Sequence, residues 1–127
     1  MENAMIEVGR TTLGADFLKW AIEIFGPVAA DRRERAMRFV EEAIEVAHAE
    51  GVLEITLENM IERVYSRKAG EISREIGQAS ATLEMFAASI GVSVSDEAAR
   101  EFARVKRFPK EHWRKRHAAK VELGIAK

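Results

Sequence analysis

Residues 31–51 read DRRERAMRFVEEAIEVAHAEG, and the spacing of their apolar positions decides the fold. Ala36, Phe39, Val40, Ala43, Ile44 and Ala47 recur at steps of three and four, the period of an α-helix with one apolar face. Asp31 is placed to cap that helix, Glu34 follows three positions on in a capping-box arrangement, and Gly51 stops it. Glu41, Glu42 and Glu45 put three acids into five positions. At about 100° per residue they project away from the apolar stripe, so periodicity alone turns them to solvent.

The same period continues on both sides. Leu13, Phe17, Leu18, Trp20, Ala21, Ile24 and Phe25 describe a helix over residues 12–25, which Gly26-Pro27 ends because proline cannot continue it. Residues 1–10 are weakly patterned and read as a loose tail. After Gly51, a shorter helix with Thr56 as its N-cap carries Met60, Ile61, Val64 and Tyr65. A loop with Arg67 and Lys68 follows. The next helix, residues 71–90, is expected to bury Ile72, Ile76, Ala79, Leu83, Phe86, Ala87 and Ile90 and to stop at Gly91. Gly77 inside it costs about 1 kcal/mol relative to alanine, which calls for a packing or functional reason.

Ser95 is expected to cap a fifth helix, with Asp96 and Glu97 in its first turn, Ala99, Phe102, Ala103 and Val105 on its apolar side, and Phe108-Pro109 at its end. A last basic helix over residues 110–123 carries Trp113, Ala118 and Val121. No strand-period run of any length occurs. The expectation is an all-α bundle of five to six helices: a tail over 1–10, one helical domain over 11–123 and a short tail over 124–127. Helices this short suit a core completed by a second chain.

Composition limits the chemistry. The chain has 127 residues, 47% of them hydrophobic, which is enough for one domain with a core. It has no cysteine, so disulfides, thiolate zinc sites and cysteine nucleophiles are excluded, and a cytoplasmic location is the expectation. Twenty-one acids against twenty bases leave a net charge of −1, which argues against a nucleic-acid polymer as partner. No apolar run is long enough to span a membrane, and Glu2 and Glu7 interrupt any signal-peptide pattern. Positive charge gathers over residues 104–120, where Arg104, Lys106, Arg107, Lys110, Arg114, Lys115, Arg116 and Lys120 face a single acid, Glu111.

The acids suggest a metal site. Glu42 and Glu45 are close enough on one helix to share a divalent ion, and Glu75 on a facing helix would complete the protein's share. Magnesium prefers such oxygen ligands and leaves positions for phosphate. Against this stands the ordinary behaviour of an acidic triplet, which is a solvated helix face, and of a basic helix, which is exposed. Glu45-x-x-His48 has no second copy, as a di-iron bundle would need, so His48 reads as a surface residue. His112 and His117, without metal-ligand spacing, read as solvent-exposed. Phosphate-binding glycine loops and the G-x-S-x-G elbow are absent from the sequence. Trp20, Trp113, Tyr65 and the phenylalanines read as core rather than as base-stacking platforms.

In order along the chain stand Phe25-Gly26, Asp31, Glu34-Arg35, Arg38-Phe39-x-Glu41-Glu42-Ala43-x-Glu45, Gly51, Arg67, Gly70-Glu71, Glu75, Arg114 and Ala118-Ala119-Lys120. This set resembles the MazG-like all-α nucleoside triphosphate pyrophosphohydrolases, whose pattern is E-E-x-x-E, a spacer and E-x-x-D, and more closely a phage and bacterial branch that lacks the final aspartate. The resemblance spans roughly residues 16–120. Gln78 stands where the superfamily has that aspartate.

The resemblance implies hydrolysis of a (deoxy)nucleoside triphosphate to monophosphate and pyrophosphate, with Mg2+ or Mn2+, by a homodimer or homotetramer. It implies Glu42, Glu45 and Glu75 as metal ligands, with Glu71 and Gln78 as additional candidates, and Glu41 as an orienting group beside the catalytic Glu42 and Glu45. Arg38, Arg67, Lys68, Arg114 and Lys120 are the implied substrate-binding bases. Two alternatives stay open: a non-catalytic relative that binds a nucleotide or a protein through a degenerate metal site, and a structural helical protein that assembles through its apolar faces.

Overall fold

The computed structural model describes residues 2–127, with side chains from residue 13 onward. Six α-helices and one 3-10 turn, with no strand among the described residues, run in the order α1 Glu2–Phe25, the 3-10 turn Pro27–Ala30, α2 Arg32–Ala49, α3 Glu54–Tyr65, α4 Ile72–Ser89, α5 Val94–Val105 and α6 Lys110–Glu122. The all-α expectation holds. The loose tail expected over residues 1–10 falls outside the residues whose side chains are described. Among the described residues no helix is long and apolar enough to cross a membrane.

The helix ends follow local chemistry. Asp31 caps α2 by accepting a hydrogen bond from the Glu34 amide at 2.9 Å. α2 and α4 stop in the same way: Val52 donates to the Ala47 carbonyl and Gly51 to His48, and Val92 donates to Ala87 and Gly91 to Ala88. This pairing needs a left-handed residue between the helix and its exit, and Gly51 (φ 86°) and Gly91 (φ 71°) provide it without a Cβ penalty. Two expected caps are displaced. α3 starts before Thr56, with Leu53 at its N-cap and no side-chain cap. Ser93, not Ser95, caps α5, its Oγ accepting from the Asp96 amide at 3.2 Å.

The chain divides into two compact units, Met1–Glu42 with Ala99–Lys127, and Ala43–Ala98. The first is built on aromatic packing. Helix α1 packs against α6, Trp20 meets Trp113 edge-on at 5.8 Å, and Phe17 lies 4.6 Å from Phe102. Ala21, Ile24, Ala29 and Val105 are the buried apolar residues of this unit among those described. The Trp113 indole, whose N–H needs an acceptor once half-buried, donates to the Val105 carbonyl at 3.1 Å. Arg114 donates from Nε to the Ile24 carbonyl at 2.8 Å, satisfying a last-turn acceptor of α1.

The second unit has almost no interior. Ala87 is its one buried residue among those described. The apolar stripe expected to be buried on α4 is present in register, yet Ile72, Ile76, Leu83 and Ile90 are exposed. On α3 no residue is buried. The expectation of a buried α4 face is therefore corrected: periodicity fixes which residues share a face, but covering that face needs another surface.

Candidate functional site

The first half of α2 carries a line of alternating charge. Glu34, Arg38 and Glu41 lie at steps of four and three, so their side chains stack along one flank of the helix. Glu34 is fully buried, at 0% exposure. Its Oε1 lies 3.2 Å from Arg38 Nε, but without hydrogen-bond geometry, so both of its oxygens lack a directed partner among the described residues. Charge rather than alignment holds the pair. Arg38 reaches on with Nη1 to Glu41 Oε1 at 2.9 Å, and its Nη2 donates to the Ile125 carbonyl.

Glu41 receives a second cation from α6. Lys120 Nζ donates to the same Oε1 at 2.7 Å. This hydrogen bond is the main reason the Glu41 carboxyl is held below the usual glutamate range; the Lys120, Arg38 and Arg116 charges act the same way, and partial burial opposes them. Lys127 extends the link between the C-terminus and α2 by donating to Asp31 Oδ1 at 3.0 Å.

The three acids read from the sequence do cluster. One carboxylate oxygen from each of Glu41, Glu42 and Glu45 lies within 4.8 Å of the others. Glu41 is half-buried, whereas Glu42 and Glu45 are exposed. Oxygens around magnesium sit at about 2.0–2.1 Å from the ion, hence roughly 3–4 Å from one another, so small side-chain rotations would bring this trio into ligand range. The donor set, all hard oxygen, fits magnesium or manganese. Glu42 also has an electrostatic partner in Arg104, whose guanidinium is raised above its usual range chiefly by its paired contact with Glu101.

The remaining candidates have structural contacts of their own. Glu71 is the N-cap of α4, accepting from the Ser73 and Arg74 amides at 3.1 and 2.9 Å. Those amides hold its carboxyl below the ordinary range. Glu75 stands in the first turn of α4 with its carboxylate over Gly70, where a Cβ would collide with it. Glu71, Glu75 and Gln78 all belong to the second unit and are exposed. Arg67 and Lys68 are exposed in the turn after α3.

Several of the bases of residues 104–120 are engaged by groups of the chain itself. Arg104 pairs with Glu101, Lys120 with Glu41, and Arg114 with the Ile24 carbonyl and, at 3.4 Å, with Glu111. Lys106 Nζ lies 4.3 Å from the centre of the Phe102 ring. Two histidines read as solvent-exposed are instead half-buried among aromatic rings. His112 stacks on Phe108 at 4.6 Å, and His117 lies 5.3 Å from Phe25 with Nε2 2.9 Å from the Lys127 carbonyl. Their apolar ring edges fill space beside α1 and α6, which hydropathy of the surrounding bases conceals. His48 is exposed, as expected.

Glu34 is the residue that sequence reasoning assigned to the wrong task. Read as the returning half of a capping box, it instead turns inward toward Arg38. The available signal was the Glu34–Arg38–Glu41 spacing, which places a base between two acids on one flank. No family model, no curated protein and no solved structure matches this chain.

Proposed function

We propose that the chain hydrolyses a nucleoside triphosphate to the monophosphate and pyrophosphate, with magnesium held by the α2 acids Glu42 and Glu45. The observation that carries this reading is the α2 cluster, in which three carboxylates lie within 4.8 Å of one another. It is supported by the ordered motif that resembles the MazG-like pyrophosphohydrolases. A bound magnesium ion supplies charge neutralisation for a polyphosphate and lowers the pKa of water. The chain's own contribution is orientation. Arg38 and Lys120 hold the Glu41 carboxylate as an anion beside Glu42. Arg67 and Lys68, exposed in the turn after α3, are the bases of the implied set that this reading assigns to phosphate oxygens.

Pyrophosphate release, measured over a panel of canonical and modified nucleoside triphosphates while magnesium is titrated, tests the reading. The expected outcome is metal-dependent cleavage of at least one triphosphate, lost on the order of 100-fold or more in Glu45→Gln. Cleavage of no triphosphate would reject catalysis. The non-catalytic alternative has its own support, since Glu41 Oε1 already receives two cations and Gln78 offers no charge. It would be favoured if a triphosphate raises the melting temperature without being cleaved.

A further inference from the structure

Helix α1 carries a glycine near its middle, and that glycine lines a cleft. Gly14, Phe17, Leu18 and Ala21 recur at steps of three and four, so they share one face of the helix. With Trp20 and, from α2, Arg35, they line a cleft of about 210 Å3. A glycine inside a helix costs stability relative to alanine and calls for a reason. Here the reason is room, because a Cβ built on Gly14 meets nothing within 4 Å. The aromatic walls are held from behind. Phe17 packs on Phe102 at 4.6 Å, and Trp20 meets Phe25 at 6.2 Å and Trp113 at 5.8 Å, so both rings are positioned before anything binds.

Arg35 is the one charged side chain of the lining. It is half-buried, its Nε is closed off from solvent, and that atom has no hydrogen-bond partner among the described residues. Its neighbour Glu34 faces Arg38 instead. Taking a guanidinium partly out of water without an acceptor is unfavourable, and a paired anion relieves the cost.

We infer that this cleft binds a small aromatic monocarboxylate, its ring against Phe17 and Trp20 and its carboxylate paired with the Arg35 guanidinium. Size is the first argument. At roughly 30 Å3 per water the cleft holds about seven waters, below the 300–1,000 Å3 or so of a drug-sized site, which suits one ring with a short acidic arm. Charge is the second. A single base neutralises one negative charge, and the planar guanidinium fork matches a carboxylate; a nucleotide would bring two or more charges to walls that are otherwise apolar. Shape is the third, since ring edges and faces pack best against other rings. The inference uses none of the α2 acids and is independent of the catalytic reading.

Calorimetric titration of the full chain with benzoate and with phenylacetate, in the absence of magnesium, tests it. Saturable one-to-one binding of at least one acid is expected, with Kd on the order of 0.1–1 mM for so few atoms. Benzamide and cyclohexanecarboxylate are expected to bind several-fold more weakly, the first for want of charge and the second for want of a flat ring. Arg35→Met is expected to weaken binding about tenfold, and Gly14→Leu, which fills the cleft from its rim, to abolish it. Should either variant fail to fold, amide chemical-shift mapping on the unmutated chain takes its place, with the largest changes expected at Gly14, Leu18 and the Trp20 indole N–H. No saturable binding of either acid at 10-fold above about 1 mM overturns the inference. So does equal affinity for benzoate and benzamide, unchanged affinity in a folded Arg35→Met or Gly14→Leu, or shift changes that fall on other residues. Adenosine monophosphate binding at these residues more tightly than benzoate would overturn the assignment of a singly charged ligand.

Discussion

The two units of this chain have similar apolar content but differ in how much of it is covered. In the unit made of Met1–Glu42 and Ala99–Lys127, rings from α1, α5 and α6 interlock, and Ile24 is left 6% exposed. In the Ala43–Ala98 unit the one tyrosine of the chain, Tyr65, is 84% exposed, and the isoleucines of α4 face outward. The difference is one of side-chain reach. Tryptophan and phenylalanine each cover a large area and meet ring to ring where α1 packs against α6, whereas isoleucine and valine stripes need a second surface laid directly on them. Apolar periodicity is therefore a statement about which residues want a partner. It does not say where the partner comes from.

Truncation on the two sides gives the largest effects and separates them. Ile24→Ala is expected to destabilise by about 3 kcal/mol, because it empties a buried site among rings, and to do so equally at every protein concentration. Ile76→Ala is expected to cost less than about 1 kcal/mol, because a side chain that is 62% exposed leaves no cavity behind. Chemical denaturation of both variants checks this. Equal losses in the two would erase the contrast between the units.

Gly77 gives a smaller and sharper test. A Cβ built there meets nothing within 4 Å, so within a single chain Gly77→Ala should stabilise α4 by up to about 1 kcal/mol through propensity alone. A second helix seated against that position would reverse the sign. Thermal melts of the variant, read at low and high concentration, distinguish the two.

The smallest effect belongs to the first unit. Glu41 is held below its ordinary range, mainly by Lys120. A lowered carboxylate contributes stability that is present above its unfolded pKa and is lost as pH falls through the folded value. In Lys120→Met that acid-side loss should shrink, by a modest amount because both side chains are partly solvated. Melting temperature followed from neutral pH into the acid range should converge for the two proteins at the acid end; parallel curves would show that the contact contributes nothing.

Much of the fold was legible from local rules. The stops at Gly51 and Gly91, the Asp31 cap and the apolar sides of α2 and α4 follow from periodicity and from backbone groups left unsatisfied at helix ends, both of which act within a few residues. The misplaced caps at Thr56 and Ser95 mark the limit, because several neighbouring residues can begin a helix and small differences in packing choose among them. The acid cluster was legible too, since Glu41, Glu42 and Glu45 lie on one helix and their proximity is helical geometry. The separate treatment of Glu41 was not, because Lys120 comes from 79 positions away. Nor was the cap role of Glu71, where backbone amides compete with any cation for the same oxygens.

By itself, then, the sequence determined what short-range geometry can carry: an all-α chain, the faces of its helices and a trio of acids within reach of one another on α2. Tertiary structure alone decided which faces are covered, which bases are already engaged and that Glu34 lies buried beneath Arg38. Those outcomes depend on contacts between residues far apart in the chain, and their cost and gain are set by desolvation and packing at the contact rather than by spacing along the helix.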